Sequence, residues 1–413
     1  MDNNKLKVTF YFLTLIVLVK WGTDIFLNTA NPFALLLATC LFSWYSFVAL
    51  SNPQTTKVNN TSNLVYPWIH AFVGIFGIFT ATEELRKLWI KFSDYARYSD
   101  VIPQLKSQCN WFFSGQFPYQ EVTEVGHHPF PVYMPFHWFP VQISNLLGID
   151  VRWSSIIMLA IATGLSGFLL SRYYTKVSIK LSIPGMLLFA LPLWAFVLED
   201  EHEIALSLEG IVTAWYLVLA VGLATKNHIV ITIGLIGAVL SRYSLLFWLP
   251  AFALLLWLNV PKRISILMWG SVILSVLVFF VFPFWVKEPN LVHRILDYYY
   301  GAADNSWLRP DEYTFKDGLS FNIHFRNWLP GTPIENKGLR TFPQVITELI
   351  ICGLGVYFYQ KKWKNNVDLY TFSLILLFFM IMILYLFSPM LFQYYLLMPL
   401  SVSALITWLV IVK

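Results

Sequence analysis

Twelve apolar stretches punctuate the chain, at about 8–27, 32–50, 66–85, 153–171, 182–198, 204–224, 228–241, 244–259, 264–284, 343–360, 369–387 and 391–411. Most approach the roughly 20 residues that carry a helix across a hydrocarbon core. They are continuous, whereas a membrane barrel shows alternating strands of about ten residues. Lipid leaves only helices and closed barrels with a satisfied backbone. The pattern therefore predicts an all-α, polytopic transmembrane bundle of about twelve helices. Two long polar-aromatic stretches, 91–152 and 285–342, interrupt it.

Residues 228–259 admit two readings, one long helix or a hairpin turning at Ser241-Arg242-Tyr243. The positive-inside rule, counted on short loops, separates them. With a hairpin and a cytoplasmic N-terminus, the inner side receives Lys5, Lys7, Lys57, Arg172, Lys176, Lys180, Lys226, Lys262, Arg263, Lys361, Lys362, Lys364 and Lys413. The short outer loops receive Arg242 and the acidic stretch Glu199-Asp200-Glu201-His202-Glu203. Both long loops then face outward and both termini lie in the cytoplasm.

Composition agrees with a membrane protein: 57% hydrophobic and 12% charged residues, with a mean hydropathy of +0.61. Soluble domains carry about 25% charged residues. The net charge of +5 comes from residues flanking apolar segments, so it does not point to nucleic acid. Cys40, Cys109 and Cys352 lack metal or redox spacing, and no disulfide framework is expected. The first apolar run lacks a small-residue cleavage site and reads as a retained helix.

The long loops and the Arg242 turn hold the candidate chemistry. Aromatics and prolines crowd 111–140, a density that rules out one regular helix. Asp94, just past the third segment, could take a proton from an acceptor hydroxyl, or be a solvated acid beside Arg97 or Lys91. Arg242 could grip a phosphate through parallel hydrogen bonds, or snorkel to headgroups. The acids of 199–203 could hold a divalent metal with His202, or form a solvated turn; the sequence requires no metal. Glu209 should lie inside the sixth segment, facing a cavity or pairing with another polar helix face. His127, His128 and His137 fit no zinc spacing and suit structural or substrate contacts. Asn322, His324 and Arg326 form a polar stripe beside Trp328 that could meet phosphate or sugar, or simply fold the loop. Lys20 and Asp24, spaced i,i+4, read as a neutralising pair.

Four stretches together resemble the glycosyltransferase-C superfamily, and within it the bacterial polyprenyl-phosphate-mannose-dependent transferases. They are Asp94 with Tyr98 followed by Gly115-Gln-Phe-Pro-Tyr119; Phe130-Pro-Val-Tyr133-Met-Pro135 running to Pro140; Leu240-Ser-Arg242 running to Pro250; and Gln393-Tyr394-Tyr395 running to Pro399. The likeness covers about 66–411, so 1–65 would be two extra N-terminal helices before a core spanning 66–413. It departs from the family where Asp94 is followed by Tyr95 rather than Glu, and where His202-Glu203 replaces a frequent Gly-Gln. The resemblance implies an enzyme: a sugar, mannose the first candidate, moves with inversion from a polyprenyl-phosphate donor to a hydroxyl of a glycan or lipid acceptor. It implies Asp94 as base, Arg242 and Arg326 on the donor phosphate, and substrate contacts at Tyr98, Tyr119, His128, Tyr133, Glu203 and His324. A bacterial cell membrane is the expected location.

Two rival readings use the same elements. A polysaccharide polymerase or ligase of the O-antigen type would rely on loop arginines rather than Asp94. A secondary transporter would show internal repeats and broken helices at the midplane; no repeat is visible, and the polar residues gather toward one face.

Overall fold

Helix boundaries follow local chemistry. The computed structural model describes residues 3–25, 30–51, 65–174, 179–198, 202–308, 320–329, 331, 335–388 and 391–412, without the side chains of 23, 24, 179, 180, 202, 203, 303–308, 337 and 340. The first helices are α1 (Asn3–Ile25), α2 (Asn31–Leu50), α3 (Val65–Thr80) and α4 (Thr82–Lys91). Within the first long loop lie α5 (Tyr95–Tyr98), α6 (Val101–Phe113), α7 (Pro135–Trp138) and α8 (Val141–Leu147). Next come α9 (Trp153–Tyr173), α10 (Ile179–Gly185), α11 (Leu191–Val197), α12 (His202–Ala205), α13 (Glu209–Thr225), α14 (His228–Ser241), α15 (Trp248–Asn259) and α16 (Lys262–Val276). The chain closes with α17 (Leu291–Leu308), α18 (Asn322–Trp328), α19 (Lys337–Phe358), α20 (Leu369–Leu386) and α21 (Leu397–Val412). Among the described residues there is no strand.

Seven helices, among the described residues, are long and apolar enough to cross a membrane; α13, α14 and α15 are shorter apolar helices. The expected single segment at 182–198 is broken. A 3-10 stretch, Met186–Phe189, separates α10 from α11, beside Pro184 and Pro192. Proline lacks the N–H and its ring crowds the preceding turn. The segment at 264–284 continues α16 as a wide π-helical stretch, Leu277–Trp285, around Pro283.

Contacts between chain-distant residues define two ends of the bundle. At one end, Lys5 Nζ donates to the Ile411 carbonyl at 3.2 Å, Tyr174 donates to Ala224 at 3.0 Å, and Lys226 faces Asp368 at 3.4 Å. At the other, Gln393 Nε2 donates to Val19 at 2.7 Å and Phe321 N–H donates to Leu386 at 2.8 Å. These are called the Lys226 end and the Arg242 end.

The 228–259 question is answered by packing. Leu240 near the close of α14 and Phe284 beyond α16 bury in one cluster, so the chain between them reverses twice. The first reversal is at Arg242, whose backbone leaves α14 with φ −157° and ψ 146°. The opposite turn, between α13 and α14, uses Lys226 at φ +55° and Asn227, whose side chain accepts from the N–H groups of Ile229 and Val230. Close contact of those helices requires Gly234, where a Cβ would collide with the Leu219 backbone.

Helices α1 and α2 pack on α20 and α21 and bury Phe12, Leu15 and Phe42 in the main core. A second core lies under the first long loop: Ile102, Leu105, Tyr119 and Trp138 join Ile211, Leu240 and Phe284. The aromatic loop is thus a packed, partly helical roof on the Arg242 end. The three cysteines are free.

Candidate functional site

Arg242 is turned inward from the end of α14 and is only 8% exposed. Its Nη2 donates to Glu209 Oε2 at 2.7 Å, and its Nη1 reaches the Tyr385 hydroxyl at 3.4 Å. The guanidinium lies 4.3 Å from the ring centroid of Tyr395, which itself stacks on Tyr385. Each contact has a sequence origin. Glu209 opens α13, where the free N–H groups of the first turn favour an acid. Gly210 follows it because a Cβ there would meet Ser155 of α9. Tyr385 ends α20, and Tyr395 precedes α21 in a 3-10 turn.

The pair is electrically neutral but not saturated. Glu209 Oε1 has no hydrogen-bond partner among the described residues. A guanidinium has five N–H donors, and the two contacts above leave donors for an anion. Taking two charges out of water costs several kcal/mol per ion, and only close geometry offsets it. A buried arginine held this way is neutralised by its own carboxylate partner and keeps N–H groups that these two contacts do not use.

The loop roof adds three groups. The ring of His137, in α7, is 1% exposed, and neither nitrogen makes a hydrogen bond of good geometry among the described residues. Burial and then the charge of Arg242 hold it well below the usual imidazole range, against a weak opposing pull from the Leu208 backbone. Tyr133 stands edge-on to the His137 ring, with centroids 5.1 Å apart. Burial lifts the Tyr133 phenol well above its ordinary range, the charge of Asp100 adds to this, and Arg242 opposes it. Asp100 and Arg242 therefore act on one phenol from two elements.

Asp100 precedes α6 and accepts from Gln104 Nε2 at 2.9 Å. His127 Nε2 lies 3.4 Å away. Its charge also reaches Tyr298 of α17, whose phenol is raised first by burial and then by Asp100. Sequence reading passed over Asp100; its one local signal was an acid directly before the helix that begins at Val101.

The expected site residues scatter. Asp94 is exposed, and its side chain makes no ion pair or hydrogen bond among the described residues, with either Arg97 or Lys91. It does lie at the Arg242 end: Arg152 of that end bonds the Phe92 and Trp89 carbonyls, both at 3.2 Å, and pairs with Asp150 at 2.7 Å. Tyr98 is exposed against Phe92. Tyr119 is 1% exposed and donates to the Tyr133 carbonyl at 3.1 Å, so it supports the site from within the roof. His128 is exposed, with a left-handed φ of +48°. His324 sits between Phe33 and Trp328, at 5.4 and 5.2 Å. Arg326 is on α18, which the Phe321–Leu386 hydrogen bond ties to the Arg242 end. The side chain of Glu203, like the acidic residues 199–201, lies outside the described residues, as does that of Asp24, while its expected partner Lys20 is buried.

Among the described residues, no three His, Cys, Asp or Glu side chains converge as a metal site. Comparison with protein-family models, curated proteins and solved structures gave no match.

Proposed function

We propose that the chain is an integral membrane glycosyltransferase. It moves a sugar from a polyprenyl-phosphate donor to an acceptor hydroxyl, with inversion, at the Arg242 end of a bundle that crosses the membrane twelve times. The observation that carries this reading is the buried Arg242, framed by Glu209, Tyr385 and Tyr395 beneath an aromatic roof. The twelve apolar stretches support the crossings, and the lysine distribution supports an outward Arg242 end.

In the proposed reaction a carboxylate takes the acceptor proton as the oxygen attacks the anomeric carbon. The bond from that carbon to the phosphate oxygen breaks, and the polyprenyl phosphate leaves with the bonding electrons. Arg242 stabilises the charge gathering on that phosphate, which is worth most in a dry site. Asp94 is the base that the motif resemblance implies. Asp100 is the acid that shares Tyr133 with Arg242. Arg326, on α18 at the same end, is the second phosphate contact that the resemblance implies.

Membranes containing the chain, given radiolabelled polyprenyl-phosphate sugars, should release label into a larger glycan or lipid product, and Arg242→Ala should abolish it. A second reading has one observation in its favour. Glu348, inside membrane-length α19, is 1% exposed, and neither carboxyl oxygen is hydrogen-bonded among the described residues. Such a group suits a proton-coupled carrier, and solute uptake driven by a proton gradient, without label transfer, would select it.

A further inference from the structure

Helices α15 and α19 flank a groove of about 450 Å³. Ala251 and Leu254 line one wall; Gly353 and Val356 line the other. Gly353 matters because a Cβ there would meet nothing within 4 Å, so the groove floor is open space. Helix α19 is the least embedded of the membrane-length helices, with 11% of its apolar window buried. The groove therefore offers apolar surface to whatever packs against α19.

Polarity enters the groove at one end only, through Gln360 and Lys361. Exposed Lys362 and Lys364 follow on the same turn, and exposed Lys262 and Arg263 open α16 where α15 finishes. None of these five cations is in an ion pair among the described residues, and Asp368 nearby is taken by Lys226. An apolar channel with cations at a single mouth fits a long-chain anion. A second copy of this chain would bring its own lysine rim against this one. A zwitterionic lipid gains little from the mouth.

We propose that the α15–α19 groove is a binding site for one anionic membrane phospholipid, its acyl chain lying along Leu254, Val356 and Gly353 and its phosphate resting on Lys361. The site is remote from Arg242 and does not depend on the transferase reading. Each lysine close to an anionic lipid contributes about fivefold to its retention.

The test is native mass spectrometry of the full chain in detergent with equal amounts of phosphatidylglycerol and phosphatidylcholine carrying the same acyl chains. The wild-type chain should keep phosphatidylglycerol in preference, one per chain. Lys361→Gln should lower that preference about fivefold, while Gly353→Phe, which fills the floor, should lose both lipids. Lys287→Gln, at the opposite end of the bundle, should leave the preference unchanged. Because Lys361 and Lys287 are exposed, neither glutamine variant strains the fold. Equal retention of the two lipids overturns the proposal. So does an equal effect of Lys361→Gln and Lys287→Gln, which would mean diffuse attraction, or a dimer that Gly353→Phe disrupts.

Discussion

Glu209 and Arg242 meet at 2.7 Å with side-chain exposures of 1% and 9%, one at the start of α13 and the other just past the end of α14. Breaking such a pair from one side leaves a buried charge without its partner, at a cost of about 3–5 kcal/mol. Arg242→Ala and Glu209→Ala should each lower the unfolding temperature in detergent. Glu209→Ala with Arg242→Met should recover much of the loss, since both charges are then gone. A double variant no more stable than the worse single one would mean that the pair does not hold the two helices together.

The base of the proposed transfer is separable by two conservative changes. Loss of a general base lowers turnover by about 10²–10⁴-fold. Either Asp94→Asn or Asp100→Asn should show that fall in labelled-sugar transfer while donor binding survives. Arg242→Lys should recover only part of the activity, because an ammonium lacks the planar fork. Asp200→Asn should be nearly silent. If both aspartate variants keep full turnover, the carboxylate-base mechanism is wrong.

Asp150 gives a pH signature outside the apolar segments. Burial raises its carboxyl, but the hydrogen bonds and charge of Arg152 outweigh this and hold it below its ordinary value of 3.8. A depressed carboxyl contributes stability that is present above the unfolded value and lost as pH falls through the folded one. Asp150→Asn should therefore be less stable than wild type at neutral pH. The gap should close on acidification below about pH 4. A gap that stays constant down to acid would disconnect Asp150 from the Arg152 clamp.

Neither oxygen of Glu348 has a hydrogen-bond partner among the described residues, and the carboxyl is buried. A buried polar group without partners costs about 1–3 kcal/mol. Glu348→Leu should raise the unfolding temperature and leave sugar transfer intact. A fall in either would give this carboxyl a working role and favour the carrier reading.

Sidedness can be read by cysteine labelling in whole cells. Gln120 is exposed on the roof and Lys364 is exposed at the other end. A membrane-impermeant maleimide should react with Gln120→Cys and reach Lys364→Cys only after the membrane is opened. The reverse pattern would invert the bundle.

The amino-acid pattern by itself determined the helical class and the place of most long apolar helices, but not the break at Met186–Phe189 or the helices inside the long loops. A helix closes its hydrogen bonds within its own segment, so a long apolar run in lipid has one regular solution. Arg242 was also legible, as a lone cation between apolar segments, and so was the turn it occupies. Its partner was not. Glu209 could have faced a cavity or any polar helix face. Only the rotation of α13 against α14, set by contacts such as Gly234 on Leu219, aims its carboxylate at the guanidinium. Asp100, Tyr385 and His137 come from three further elements, and their convergence depends on how the roof packs on the bundle. Local sequence carries helical period and length; which side chains meet across elements is decided by packing, and tertiary structure alone supplied that.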